Sequence, residues 1–379
     1  MGLAGMTRIS IVIFALLIVN PAWAACGDAK LAEVRTARAK TVEIDCDLNL
    51  AAGDRISKRL VLKGRASSGV TVDCHGGTLA GGVSIRSRSY VENGVRKWEP
   101  VTNTTVRNCK VTGGIHVMGM ARNAEGTVYN GTNFYKISSR LPGHTARARA
   151  NAPSHITLEN LVITSMGGWP VYFAPGVTYS RLVNSELTGT VKRGAIYLDA
   201  ESAFNIISGN RIDTRAEPRW VLRLTNWLGF PPGIQAISID GSSHNIISGN
   251  RISKLSHAAI HFYRNCGEGG VIRHATPSYN TITNNDFRGR NPVIHLGSRN
   301  GRGWFPVFNN YPCDLDEGYL DAGSAKSNKD HARHNIVTDN RFHTRRGLTL
   351  IDVIRDENRE DNSSNFIGLN EVLSDKTID

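Results

Sequence analysis

Residues 205–212 read Asn-Ile-Ile-Ser-Gly-Asn-Arg-Ile, and residues 245–252 repeat that phrase. It returns with Phe in the last place at Asn280–Phe287 and Asn335–Phe342, and more loosely at Asn365–Val372. Upstream, Ser180–Leu187, Ile156–Ile163 and Thr104–Val111 keep the aliphatic places, with Cys109 where the second Asn would fall. Apolar residues alternate with polar ones inside each copy, which is the period of a strand and not of a helix. The third place is aliphatic throughout, so it sets the period. Leu158 to Leu182 is 24 residues and Leu182 to Ile207 is 25, after which the steps lengthen to 40, 35, 55 and 30. A basal coil of that length, interrupted by insertions, predicts a solenoid in which each coil buries one aliphatic row against the next. Asn at a fixed corner suits the left-handed turn such a coil needs, and its amide can bond from coil to coil.

A second strand follows each repeat. Its copies are Val171-Tyr172-Phe173, Ile196-Tyr197-Leu198-Asp199, Ile237-Ser238-Ile239-Asp240, Ile260-His261-Phe262-Tyr263, Ile294-His295-Leu296-Gly297 and Ile351-Asp352-Val353. Alternation sends the first and third members inward. The outward column is then Tyr172, Tyr197, Ser238, His261, His295 and Asp352. Coils stack about 4.8 Å apart, so His261 is expected against His295 and Tyr263 beside Asp240.

Three long insertions lie near this column, carrying Arg215, Arg219, Trp220, Arg223, Trp227 and Phe230, then Arg264, Arg273 and His274, then Arg299, Arg302 and Trp304. Aromatic faces stack on sugars and guanidiniums grip carboxylates, so these loops are expected to wall a groove. Turn capping is an equal reading of Asp199 and Asp240, and a plain sheet face an equal one of Tyr172 and Tyr197.

The chain of 379 residues carries a formal charge of +12, which suits a polyanionic partner. Arg8, the apolar run Ile9–Val19 and Ala22-Trp23-Ala24 read as a secretory signal ending at residue 24. Export to a periplasm or the outside favours an acidic polysaccharide over nucleic acid. No later stretch is apolar enough to span a membrane. Six cysteines in an exported chain suggest disulfides, and Cys26–Cys46, Cys74–Cys109 and Cys266–Cys313 is the pairing that keeps each bridge local. Ala29–Ala39 is expected to form a short helix that caps the first coil, with residues 25–69 as a cap segment and residues 70–379 as one repeat domain. No cysteine pair has zinc spacing, and His331 with His334 lacks a third ligand, so no metal site is assigned.

The repeats resemble those of right-handed parallel β-helix proteins of the pectate-lyase-like superfamily, above all the Asn-x-Ile-x-x-Asn-x-Ile repeats of alginate epimerases and related carbohydrate-active proteins. The likeness runs from about Val70 to Val372. It implies an all-β, single-stranded solenoid with long loops over one face. It also implies lyase, epimerase or hydrolase activity on polysaccharide, or a non-catalytic glycan-binding role. The Asp-Pro-His-Asp motif of alginate epimerases is absent, as are the paired aspartates and Gly-His-Gly of polygalacturonases. The expected chemistry is β-elimination from a uronate polymer. His261 or Tyr263 would be the base and His295 the acid, with Arg264, Arg299, Arg273, Tyr197, Asp240, Trp220 and Trp227 binding substrate. Imidazole titrates near neutrality and suits both proton-transfer roles. C5-epimerisation could use the same groups. Calcium, if required, would fall to Asp199 and Asp240. No self-association surface is legible in the repeats.

Overall fold

The computed structural model describes residues 24–36, 40–121, 128–129, 132–192, 194–216, 235–255, 258–264, 271–290, 292–297, 332–356 and 364–378. The signal segment, Trp220, Trp227, Cys266, Cys313 and Arg299 lie outside them.

Three parallel sheets of ten strands each make the three faces of a β-helix. The first runs from Thr41–Glu43 to Ile354–Asp356, the second from Leu48–Asn49 to Phe366–Gly368, and the third from Arg55–Ile56 to Glu371–Ser374. The third place of the repeat forms one buried ladder in register: Val72, Val106, Leu158, Leu182, Ile207, Ile247, Ile282 and Val337. The last place forms another that passes through Phe287 and Phe342, whose rings stack 5.1 Å apart, to Val372. Each fully buried aliphatic is worth roughly 1.5–3 kcal/mol of transfer free energy, and the ladders supply one or more per strand.

The asparagines hold the corners. Oδ1 of Asn250 accepts from the backbone N–H of Asn210 at 3.0 Å and from its Nδ2 at 2.9 Å, while Nδ2 of Asn250 donates to Ile207 O and Asn285 Oδ1. The same pattern passes on through Asn285, Asn340 and Asn370, and a parallel one runs from Asn205 to Asn365. Ser180 and Ser185 take over upstream. Asn250→Ala should therefore strand the buried N–H of Asn210 and lower stability by about 2 kcal/mol. A urea midpoint equal to that of the parent would remove the ladder from the account of stability.

One residue before each ladder position the chain turns through positive φ, and there the side chains project outward. His155, Tyr179, Phe204, His244, Tyr279 and His334 form a continuous ring stack with centroids 4.8–5.2 Å apart. Their φ values lie between 50° and 59°. Stacking on both neighbours offsets part of the cost of that backbone.

The helix Asp28–Arg35 covers the first coil, with Val34 buried against the core and Leu31 packed beside it. Two disulfides form as expected, Cys26–Cys46 and Cys74–Cys109. Two expectations need correction. The coils begin at Thr41, not Val70, because Thr41–Glu43 already pairs with Arg59–Lys63. Three of the four strands before Val70 have only two or three residues, and none carries the Asn signature. The last outward residue of the first sheet is Arg355, not Asp352. Thr349 N and Oγ1 both donate to Asp352 Oδ2 at 2.9 Å, closing a helical turn over Leu350–Val353. The strand therefore starts three residues later, with Ile354 opposite Ile294 and Arg355 opposite His295.

Candidate active site

The outward column of the first sheet is Ser84, His116, Tyr172, Tyr197, Ser238, His261, His295 and Arg355, each in register with the next. Its middle is closed and its two ends are open.

The middle is a second small core. Tyr172, Ala174, Tyr197 and Tyr263 cluster there, with Met118 and Trp169 against them. The Trp169 ring stacks on Tyr172 at 4.9 Å and leans on Tyr197 at 5.0 Å. Tyr172 Oη donates to Asp199 Oδ2 at 2.5 Å, and Tyr197 Oη donates to Asp240 Oδ2 at 2.7 Å. Both carboxylates are buried. Arg273, 0% exposed, shares their enclosure. Burial alone would lower its pKa, but Asp240 and then Asp199 outweigh it and raise the value. None of its guanidinium nitrogens has a hydrogen-bond partner among the described residues, so charge holds it.

The lid over this core is an insertion that the sequence reading did not assign. Helices Phe134–Ser139 and His144–Ala150 lie there, with Tyr135 and Ala148 packed on Ala200 and Val271. Glu201 pins it: Thr145 Oγ1 and the N–H groups of His274 and Ala275 donate to its carboxylate, and Arg149 Nε donates to its carbonyl. His144 is buried, its ring 4.7 Å from Tyr135 and 5.0 Å from His274. Burial pulls its pKa down to about 4, so it sits there neutral.

These facts correct several sequence assignments. Tyr197 and Asp240 are bonded to each other under the lid, Arg273 neutralises the aspartates, and Arg264 is 2% exposed. None of the four faces an open groove. Nor do Asp199 and Asp240 fit calcium. A hard cation needs six or more oxygen ligands, whereas tyrosine hydroxyls occupy these carboxylates and a guanidinium already supplies the positive charge. Among the described residues no group of three or more His, Cys, Asp or Glu could hold a metal ion.

Burial, and then the neighbouring Asp240, push Asp199 up to about 7 against the pull of Arg273 and Tyr172. A carboxyl whose folded pKa exceeds its unfolded value of about 3.9 contributes stability that is full below that value and lost as pH rises through the folded one. Stability should therefore fall between pH about 4 and about 7, by about 4 kcal/mol from this group. Asp199→Asn should flatten that slope and gain stability at pH 8, as read by urea unfolding at pH 5 and pH 8. Equal slopes in variant and parent would contradict the assignment.

The first open end holds the predicted pair. His261 and His295 are half-buried, their rings 5.0 Å apart, and Tyr263 lies 4.9 Å from His261. Tyr263 also pairs with Asp240 in register, as expected from alternation. Arg355, exposed, is the next rung beyond His295. A cation, two imidazoles and a phenol thus share one patch.

The second open end was missed. A cleft of about 540 Å³ is lined by Arg59, His116, Trp169 and Lys192 over two glycine pairs, Gly113-Gly114 and Gly167-Gly168. The signal was present, since Ile115-His116-Val117 has the form of the two later histidine strands and a Gly-Gly precedes it.

The family described as a right-handed beta helix region matches residues 93–302, more than half of the chain. The crystal structure of the periplasmic alginate epimerase AlgG is similar over 88% of this chain and 76% of its own, with 10% identity and a TM-score of 0.32. No curated protein matches the sequence.

Proposed function

From a chain that belongs to the right-handed β-helix family, we propose a carbohydrate-active enzyme that cleaves an acidic, uronate-containing polysaccharide by β-elimination at the His261–His295 patch. The observation that carries this reading is the run His261, His295, Arg355 on the accessible end of the sheet, with the buried Tyr263 packed against His261. Elimination needs a cation to neutralise the uronate carboxylate, a base for the C5 proton and an acid for the departing O4. Arg355 is the cation. This role passes to it from Arg264, which is buried, and Arg299, which lies outside the described residues. One imidazole takes the C5 proton, the C5–H electron pair forms the C4–C5 double bond, and the C4–O4 bond breaks. The second imidazole or Tyr263 protonates O4. General acid–base help of this kind is worth about 10²–10⁴-fold.

Both histidines approach from the same face of the sheet, which favours elimination over epimerisation. Inverting C5 requires a second proton donor on the opposite side of the sugar. Hydrolysis by Asp199 and Asp240 is disfavoured by their burial and tyrosine bonds. The two disulfides suit an oxidising compartment, and no described helix is long and apolar enough to cross a membrane, so we place the protein among exported chains.

The test is incubation of the purified protein with a panel of uronate polymers while following the ultraviolet absorbance of an unsaturated uronate. A rise with one polymer is expected. Reducing ends released without that absorbance would mean hydrolysis, and solvent deuterium at C5 without shortening would mean epimerisation. No change with any polymer, but retention on it, would leave a binding protein.

A further inference from the structure

The cleft at the other end of the column has a composition that selects its ligand. Its charged lining is basic, Arg59 and Lys192 with His116 between coils, and no carboxylate lines it. Arg59 is exposed, spends its Nε on the Gly81 carbonyl at 3.2 Å, and has no carboxylate partner among the described residues. Lys192 is exposed just before the strand Gly194–Leu198, four coils along the same sheet. Trp169 forms the wall, held in place by Tyr172 and Tyr197 behind it and by His116, whose Nε2 lies 3.2 Å from the Trp169 carbonyl. A rigid indole in a cleft flanked by two cations is a surface for a ring that carries a negative charge.

The glycine pairs make the room. A Cβ on Gly113 would come within 2.5 Å of the Gly81 backbone, so only glycine lets these corners stack so closely. Gly167, at φ 118°, would bring a Cβ to 3.0 Å from Cε of Lys192 and so crowd the lysine at the cleft. The Gly-Gly sequence thus recurs at 81–82, 113–114 and 167–168, always just before a strand of the first sheet.

We infer that this cleft is a second carbohydrate-binding site, which holds a carboxylated or sulfated sugar of the polymer remote from the reacting residue. His116 and His261 lie four rungs apart in the same column, about 19 Å at the spacing of stacked coils. A long chain can engage both ends across the closed middle, whereas a short one reaches a single end. This rests on the reading that the ligand is an acidic polysaccharide. Its consequence is separate: affinity and turnover should rise with chain length through Arg59 and Lys192, which do no chemistry.

The experiment compares the full-length protein with Arg59→Ala/Lys192→Ala, and with Arg211→Ala/Arg251→Ala as a charge-matched control on the third sheet. The probes are uronate trimers and the parent polymer, in calorimetry and in gels cast with polymer. Loss of polymer affinity by tenfold or more in the first variant, with trimer turnover unchanged and the control like the parent, is the expected result. Equal weakening in both variants would reduce the effect to net charge and overturn the site. Unchanged polymer affinity and KM in the first variant, while the parent binds polymer, would overturn the cleft alone. A parent that binds no acidic polymer would overturn the cleft together with the substrate reading. His261→Ala separates the two ends, because it should lose turnover yet keep its retention on polymer.

Discussion

His261→Ala and His295→Ala should each lower turnover of the uronate polymer by about 10²–10⁴-fold while the far-ultraviolet circular dichroism and the urea midpoint stay close to those of the parent. The expectation of an intact fold comes from the side of the strand each residue occupies. Ile260, Phe262, Ile294 and Leu296 face the interior and are 0% exposed, whereas the imidazoles face outward and only half-buried. Removing an imidazole leaves the inner ladder and the parallel pairing untouched. The double variant should be little worse than either single one, because base and acid act in the same event and their losses do not add. Arg355→Ala should also depress kcat, since the carboxylate it neutralises becomes most electron-rich as the C5 proton leaves; Arg355→Lys should recover part of that loss. Full activity in both histidine variants would sink the assignment of the patch, even if absorbance showed that elimination occurs.

The fold was legible because a solenoid writes each physical constraint many times. The aliphatic third place and the corner asparagines are repeated in the sequence at the same offsets at which they pair in space. The first coil, Thr41–Ile56, was not legible, since strands as short as Arg55–Ile56 leave no alternation to count. Within the candidate site, the contact of His261 with His295 and of Tyr263 with Asp240 followed from period two alone. What alternation cannot report is what lies on top. Tyr197, Asp240 and Arg273 point outward as read, but the insertion around Phe134–Ser139 and His144–Ala150 covers them, and its long-range anchor is Glu201, which no local pattern singles out. Arg355 was displaced by a Thr349–Asp352 cap, a local hydrogen bond that outweighed strand propensity over four residues. The cleft went unread because its defining residues come from separate coils joined only by the glycine corners.

Arg273→Met should cost about 3–5 kcal/mol of stability at pH 8, the loss expected when one partner of a buried charge cluster is deleted. Methionine matches the aliphatic stem and removes only the charged head, so the volume of this buried site is largely kept. What remains is Asp199 and Asp240 on neighbouring coils, both buried, with tyrosine hydroxyls and, for Asp199, the Ala200 N–H in place of the water they lost. Two like charges in that enclosure repel, and the least costly response is protonation. The penalty should accordingly shrink on acidification: with the cation gone Asp199 rises above its present value of about 7, and at pH 5 the folded chain carries it neutral. Asp199→Asn/Asp240→Asn in the Arg273→Met background should restore most of the loss, because apolar and amide groups then fill a space with no net charge. Urea unfolding of the parent and the two variants at pH 5 and pH 8 decides the matter. A penalty at pH 8 below about 1 kcal/mol, or one that does not shrink at pH 5, would show that Arg273 is not the counter-charge. The same series bears on activity, since Asp240 is the rung beside Tyr263 and Tyr263 touches His261. Loosening the buried cluster should raise KM little and lower kcat, as the phenol and the imidazole drift from the geometry that the closed middle of the sheet imposes on its open end.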